Sequence, residues 1–287
     1  MAALDRARAL EAFRGYVEPY GEDSERIALK VAHTYRVADL CDRIARSGAW
    51  DPLEVDLAWL AGLLHDIGRF EQLRLWDTFR DADSASHAAL GCAVLRGDGA
   101  DSVPSNVPAP ADAVRVAHPA PPAAGSGALE SFISSHDHDD AIMAAVGQHS
   151  ALAVDGSLDA RVRALCDVVR DADKIDILRV NCENTPYTVL GLSDAEFLQS
   201  EISDAAMAAF RERRCLSRDE RREPADMLVG MVAFVFELVY PQSRQIVLEQ
   251  GFLSRLLERP LGLARPFARP ETRERWREVS LGALRAV

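Results

Sequence analysis

A chain of 287 residues can bury one substantial core and carry an appendage beside it. Its hydrophobic share of 48% suits a globular protein, and a net charge of −12 with no dense basic run argues against a nucleic-acid duplex as partner. Of the five cysteines none forms a CxxC pair, and Cys41, Cys92 and Cys166 fall among apolar residues at helical spacing, where they read as small core residues.

The N-terminal stretch MAALDRARALEAF mixes acids and arginines with apolar residues, so it lacks the oily run of a secretory signal. Nearly every periodic segment that follows repeats at 3.6 residues, and alternating β-branched runs are absent. An all-α fold is therefore expected. The first long helix is predicted from Asp23-Ser24, which can cap it, to Ser47-Gly48, with Ile27, Val31, Ala38 and Cys41 in one apolar row. Asp51-Pro52 opens the next helix with a capping-box spacing to Glu54, Leu53, Leu57, Leu60 and Leu64 give it a core face, and Gly68 is placed to end it. A shorter helix is predicted from about Ser84 to Arg96, closed by Gly97.

From Gly97 to about Ser135 the composition shifts to proline, alanine and glycine, including Pro104, Pro108, Pro110, Pro119, Pro121 and Pro122. This predicts an inserted, largely irregular loop. Helical pattern resumes at Asp139-Asp140 and runs to about His149, and another helix is predicted from Leu158 to about Val180. The remainder reads as further helices around the apolar stretch Met227 to Tyr240, which carries Glu237 and is too short to span a bilayer. A core over 1–185, interrupted at about 97–135, and a helical extension over 186–287 are expected, in a cytoplasmic protein without a membrane partner.

His65-Asp66 closes an almost wholly apolar run, Trp59 to Leu64, where a buried imidazole beside a carboxylate is costly unless both are paired or ligating. Adjacent helical residues point about 100° apart, so the two can reach neighbouring coordination positions, with the carboxylate able to bridge two ions. Four residues on other predicted helices converge with them in character. His33 lies in line with Val37, Leu40 and Ile44; His87 precedes Gly91 by one turn, where a glycine lets another helix approach; His149 follows Ile142 and Val146; and Asp173 continues the row Val162, Cys166 and Val169. An ionised carboxylate on a core face needs a compensating cation.

The order His33, His65-Asp66, His87, His149, Asp173 resembles the HD superfamily of metal-dependent phosphohydrolases. The string His65-Asp66-Ile67-Gly68-Arg69-Phe70-Glu71-Gln72 is similar to its central motif, and Asp171-Ala172-Asp173-Lys174-Ile175-Asp176 to its closing one. The resemblance covers roughly residues 25 to 180 without the loop. It implies a helical bundle in which His33, His65, Asp66 and Asp173 hold one divalent ion, and Asp66, His87 and His149 a second, with iron, manganese, zinc, nickel and magnesium all open. It also implies hydrolysis of a small phosphorylated substrate such as a nucleotide, with Asp66 at the catalytic centre and water activated by metal.

Lys174, one of two lysines with Lys30, reads as a phosphate contact, a carboxylate partner or a surface lysine, and Arg69 either grips phosphate or sits as a charge at a helix C-terminus. Both are taken as catalytic and substrate-binding candidates. Glu71 is read as an acid or base near the site or, more simply, as a solvated glutamate, and His118, His136 and His138 as solvated loop residues. The arginine-rich run Arg211 to Arg222, interleaved with acids, reads as a solvated helix face. Two rival functions share these residues, a di-iron oxygenase of the HD type and a nucleotide-binding regulatory module, and a homo-oligomer is open.

Overall fold

The computed structural model describes residues 4–21, 24–107, 127–265 and 267–287; Asp23, His118 and the prolines at 108, 110, 119, 121 and 122 lie outside them. Among the described residues the regular structure is helical, with one isolated antiparallel bridge from Ala85 to Ser105 and no strand, so the expected all-α fold is the observed one. The chain divides into two compact units, residues 1–170 and 171–287.

The first unit opens on a helix that periodicity did not single out, α1 (Arg6–Val17), capped by the Asp5 side chain, which accepts from the Arg8 backbone at 3.0 Å. Twelve residues make a marginal helix in isolation. Tertiary packing holds it, with Phe13 edge-on to Tyr35 and Phe70 at 5.6 and 5.9 Å. Each such fully buried aromatic contributes roughly 1.5–3 kcal/mol.

Next comes α2 (Glu25–Ser47), for which Ser24 stands at the N-cap position without a side-chain cap, contrary to the capping role expected of it. The capping box before α3 (Pro52–Leu64) forms as read, Glu54 N to Asp51 at 2.9 Å and Asp51 N to Glu54 at 3.3 Å, worth on the order of 1 kcal/mol. At Gly62 the two helices touch: a Cβ there would lie 2.8 Å from Cys41 Sγ and 2.9 Å from Ala38 Cα.

Gly68 does not end α3. It opens α4 (Gly68–Trp76), with no left-handed backbone, because a Cβ at this position would lie 2.3 Å from Gly91 N and His87 O of α5 (His87–Arg96). The close approach expected at Gly91 is thus real, and Gly68 is its other half. Gly97 ends α5 in the left-handed region (φ 75°), as its position predicted.

The segment read as a largely irregular insertion is corrected at its C-terminal end. Residues 129–132 form a helical turn, α6 (Leu129–Phe132), and Leu129, Phe132 and Ile133 are buried in the core with Phe13, Leu60 and Ile67. Their apolar side chains recur within one turn, a signal that the neighbouring prolines masked. α7 (Asp139–Gln148) follows, with Val146 against Gly91, and then α8 (Ala160–Glu183), within which the division between the units falls.

The second unit continues through α9 (Pro186–Leu190), α10 (Asp194–Gln199), α11 (Asp204–Arg211), α12 (Pro224–Val232), α13 (Pro241–Gln250), α14 (Phe252–Glu258) and α15 (Pro270–Leu284). Phe267 packs on Phe197 and Trp276, with ring centroids at 5.4 and 5.8 Å. Asp226, fully buried, accepts from the backbone of Ser203, Arg222 and Glu223 at 2.8–2.9 Å, and Asp171 does the same for Val239 and Tyr240 at 3.0 Å. The arginine-rich run is not one helix face, because α11 stops at Arg211 and the rest is turn, with Arg211 paired to Glu278 and Arg214 to Glu212 and Glu220. No described helix is long and apolar enough to cross a membrane.

Candidate metal centre

The contacts at Gly62 and Gly68 decide what lies around Asp66. The first sets the end of α3 against α2, which brings His65 to His33; the second sets the start of α4 against α5, which brings Asp66 to His87; and the packing of α7 on α5 adds His149. All five residues are buried, at 0–4% exposure, although four of them are titratable imidazoles.

The two oxygens of Asp66 face different pairs. Oδ2 lies 3.7 Å from both His33 Nε2 and His65 Nε2, while Oδ1 lies 3.7 Å from His87 Nε2 and 3.6 Å from His149 Nε2. Within the pairs, the Nε2 atoms of His33 and His65 are 3.4 Å apart and those of His87 and His149 only 2.9 Å. His33, His65 and Asp66 thus form one group able to hold an ion, and Asp66, His87 and His149 a second.

The donor set shows what these nitrogens carry. His65 Nδ1 lies 2.7 Å from the Gly62 carbonyl and His149 Nδ1 2.7 Å from the Val146 carbonyl. A carbonyl only accepts, so both Nδ1 atoms bear the proton and each neutral ring offers an unprotonated Nε2. His87 Nδ1 lies 2.8 and 2.9 Å from the Asp81 carboxylate, which leaves its Nε2 in the same state. Two lone pairs facing at 2.9 Å repel one another unless a cation stands between them. Imidazoles held by Nδ1 with Nε2 presented inward are the arrangement of metal-ligating histidines. The residues therefore fit divalent ions.

Charge supports the same reading. Burial alone would push the Asp66 carboxyl up, but the Lys30 ammonium, then His65, Arg69 and a hydrogen bond from His149, outweigh it and hold it well below the ordinary carboxylate range. Lys30 Nζ sits 2.6 Å from Oδ2, and Arg69 Nε 3.3 Å from Oδ1. His87 is lowered to about 4, first by burial and then by Arg69, so its ring is neutral near pH 7. Asp81 falls to about 2, because hydrogen bonding and attraction to His87, with Arg69 and Gln72, exceed the opposing effect of burial.

Asp173, on α8, is half-buried and belongs to the second unit. Lys174, in the same unit, is buried and donates to Glu237 at 2.7 Å, so of the roles open to it the carboxylate partnership is the contact it makes. Arg69 lies in the first turn of α4 and not at a helix C-terminus, which overturns its reading as a dipole-stabilising charge; its guanidinium reaches Asp66, Gln72, Asp81 and the Phe79 carbonyl. Glu71 is not solvated. It is buried and accepts from Tyr20 at 2.5 Å and from Arg74 at 2.9 and 2.6 Å. His136 is exposed and His138 half-buried.

Sequence reasoning missed Lys30 and Asp81 as neighbours of this cluster. Lys30 precedes His33 by three residues on α2, a same-face spacing that could have been read. Asp81 lies in the turn between α4 and α5, where no periodicity exists to flag it.

The HD domain family model matches residues 31–118, which takes in His33, His65, Asp66 and His87. The chain carries an HD domain. HD domains are generally metal-dependent phosphohydrolases, though some HD proteins are not hydrolases. His149 lies beyond the matched residues and joins the HD domain's histidines through α7. No curated protein and no solved structure matches the chain.

Proposed function

We propose that this HD-domain protein is a metal-dependent phosphohydrolase that cleaves a phosphoester in a small molecule, such as a nucleotide. The observation that carries this reading is the division of Asp66, one oxygen toward His33 and His65 and the other toward His87 and His149, which suits a carboxylate shared by two ions. Such ions would activate water for attack on phosphorus and offset charge on the entering and leaving oxygens.

The chain's own groups leave that role open for an anion. Around the four histidines, Lys30 and Arg69 already balance Asp66 and Asp81, so bound divalent ions bring an excess of positive charge that a phosphoryl group would neutralise. Burial of Asp66 and the neutral state of His87 keep the ligands in their binding forms near pH 7. By the sequence resemblance alone, Asp173 is the further ligand expected for the first ion.

The test is elemental analysis of the purified chain beside a phosphatase and phosphodiesterase screen with manganese, iron, zinc, nickel and magnesium. About two ions per chain with metal-dependent turnover is the expected result. A chain that binds ions and hydrolyses nothing across the set would sink the phosphohydrolase reading. Asp173→Ala should weaken one ion, whereas Lys174→Ala should leave metal content near normal and impair substrate use.

A further inference from the structure

His65 and His149 share a local device that His87 lacks. Each of the first two stands at the C-terminal end of its helix, where the last carbonyls have no partner within the helix, and each donates Nδ1 to the carbonyl three residues earlier, Gly62 and Val146. His87 is the first residue of α5, and the orphan backbone groups at a helix start are N–H donors. No acceptor is available to it from its own helix, so one has to come from elsewhere in the fold.

Asp81 supplies it. The carboxylate is set in place by Gln72 Nε2 at 2.8 Å and by the Arg69 guanidinium at 3.2 Å, and the Asp81 carbonyl accepts from Asn106 at 2.8 Å. Gln72 is itself fully buried and also donates to Ser84 and Ala85. Arg69 touches both Asp66 Oδ1 and Asp81, so the same guanidinium ties the shared carboxylate to the acceptor of His87. A charged acceptor fixes an imidazole more firmly than a carbonyl does and makes its other nitrogen a stronger donor to a metal.

We propose that Asp81 is a positioning residue for the His87 and His149 half of the centre, holding His87 with Nε2 turned inward, and that the two halves consequently bind their ions unequally. The proposal rests on the metal-binding reading of the site and not on the identity of the substrate. The carboxylate acts through His87 and does not touch the ion.

The experiment is a titration of the full metal-free chain with zinc or cobalt(II) against a chromophoric chelator, on wild type, Asp81→Asn and Asp81→Glu. Asp81→Asn keeps the size of the side chain and removes its charge, and it should weaken one ion about 10- to 100-fold while the other keeps its affinity. Asp81→Glu should restore part of that loss. Equal weakening of both ions, or of neither, overturns the proposal. If Asp81→Asn does not fold, long-range proton–nitrogen NMR of the imidazoles in the zinc-loaded wild type decides: a protonated Nδ1 on His87 supports it, and zinc on Nδ1 overturns it. Two unequal ions in a chain that hydrolyses no phosphoester would remove the phosphohydrolase reading and leave this one standing.

Discussion

Asp66 and Glu71 are buried carboxylates on either side of the first turn of α4, and their surroundings differ in kind. Glu71 is closed by donors: the Tyr20 hydroxyl at 2.5 Å, both arms of Arg74, and behind them Tyr16, which Tyr20 reaches at 3.1 Å and which donates to the Ile67 carbonyl at 3.2 Å. Asp66 accepts from Lys30, but it also faces four imidazole nitrogens at 3.6–3.7 Å, too far for hydrogen bonds, and three of these carry lone pairs by virtue of what their Nδ1 atoms hold. A buried polar cluster in which every acceptor meets a donor stabilises the fold by itself. One in which acceptors converge on acceptors is complete only with a cation.

The comparison breaks most visibly at Asp66. Asp66→Asn keeps the shape and drops the charge shared by both groups, so both ions should be lost and any metal-dependent turnover should fall by at least ~100-fold, with a smaller effect on folding. Metal analysis and hydrolysis rates measured on one preparation check this, and retention of two ions would place the shared ligand elsewhere.

Glu71→Ala should do the reverse. Removing one partner of a buried ion pair strands Arg74 and costs about 3–5 kcal/mol in denaturant unfolding, while the metal content of the folded fraction stays the same. Loss of an ion in that variant would show that the second cluster also supports the first.

The tyrosines give the structural cluster a pH signature. Burial first, with the nearby Glu71 for Tyr16 and the Tyr16 hydroxyl for Tyr20, pushes both hydroxyls far above their ordinary value near 10. Because the native pKa is raised, the stabilisation is complete below pH 10 and is lost as pH rises above it, by about 1.4 kcal/mol per pH unit for each tyrosine held neutral. Unfolding measurements at pH 9 and 11 should show this slope, and Tyr20→Phe should flatten it. At the small end, His136 is exposed and paired only with Asp139, so His136→Ala should leave both metal content and stability unchanged.

Much of the site was legible before any coordinate, because helical periodicity and capping are local. The apolar rows that carry His33, His87 and His149 lie on real helices, and the capping box at Asp51 and the stop at Gly97 sit where the sequence put them. Glu71 was misread for a physical reason: its partners Tyr20 and Tyr16 come from and just beyond α1, a helix too short to declare itself, so a buried glutamate looked like a solvated one. Leu129 and Phe132 were hidden in the same way by the prolines before them.

The sequence by itself determined an all-helical chain and the residues able to form a His/Asp centre, since residue type and spacing along one helix are properties of the chain alone. Only the tertiary structure decided which oxygen of Asp66 meets which pair of histidines, that Lys30 lies on that carboxylate, and that Asp81 holds His87. Those relations run between separate helices and depend on how closely backbones can approach. Here that is set by the absence of a Cβ at Gly62 and Gly68, and by a turn whose path no periodic pattern encodes.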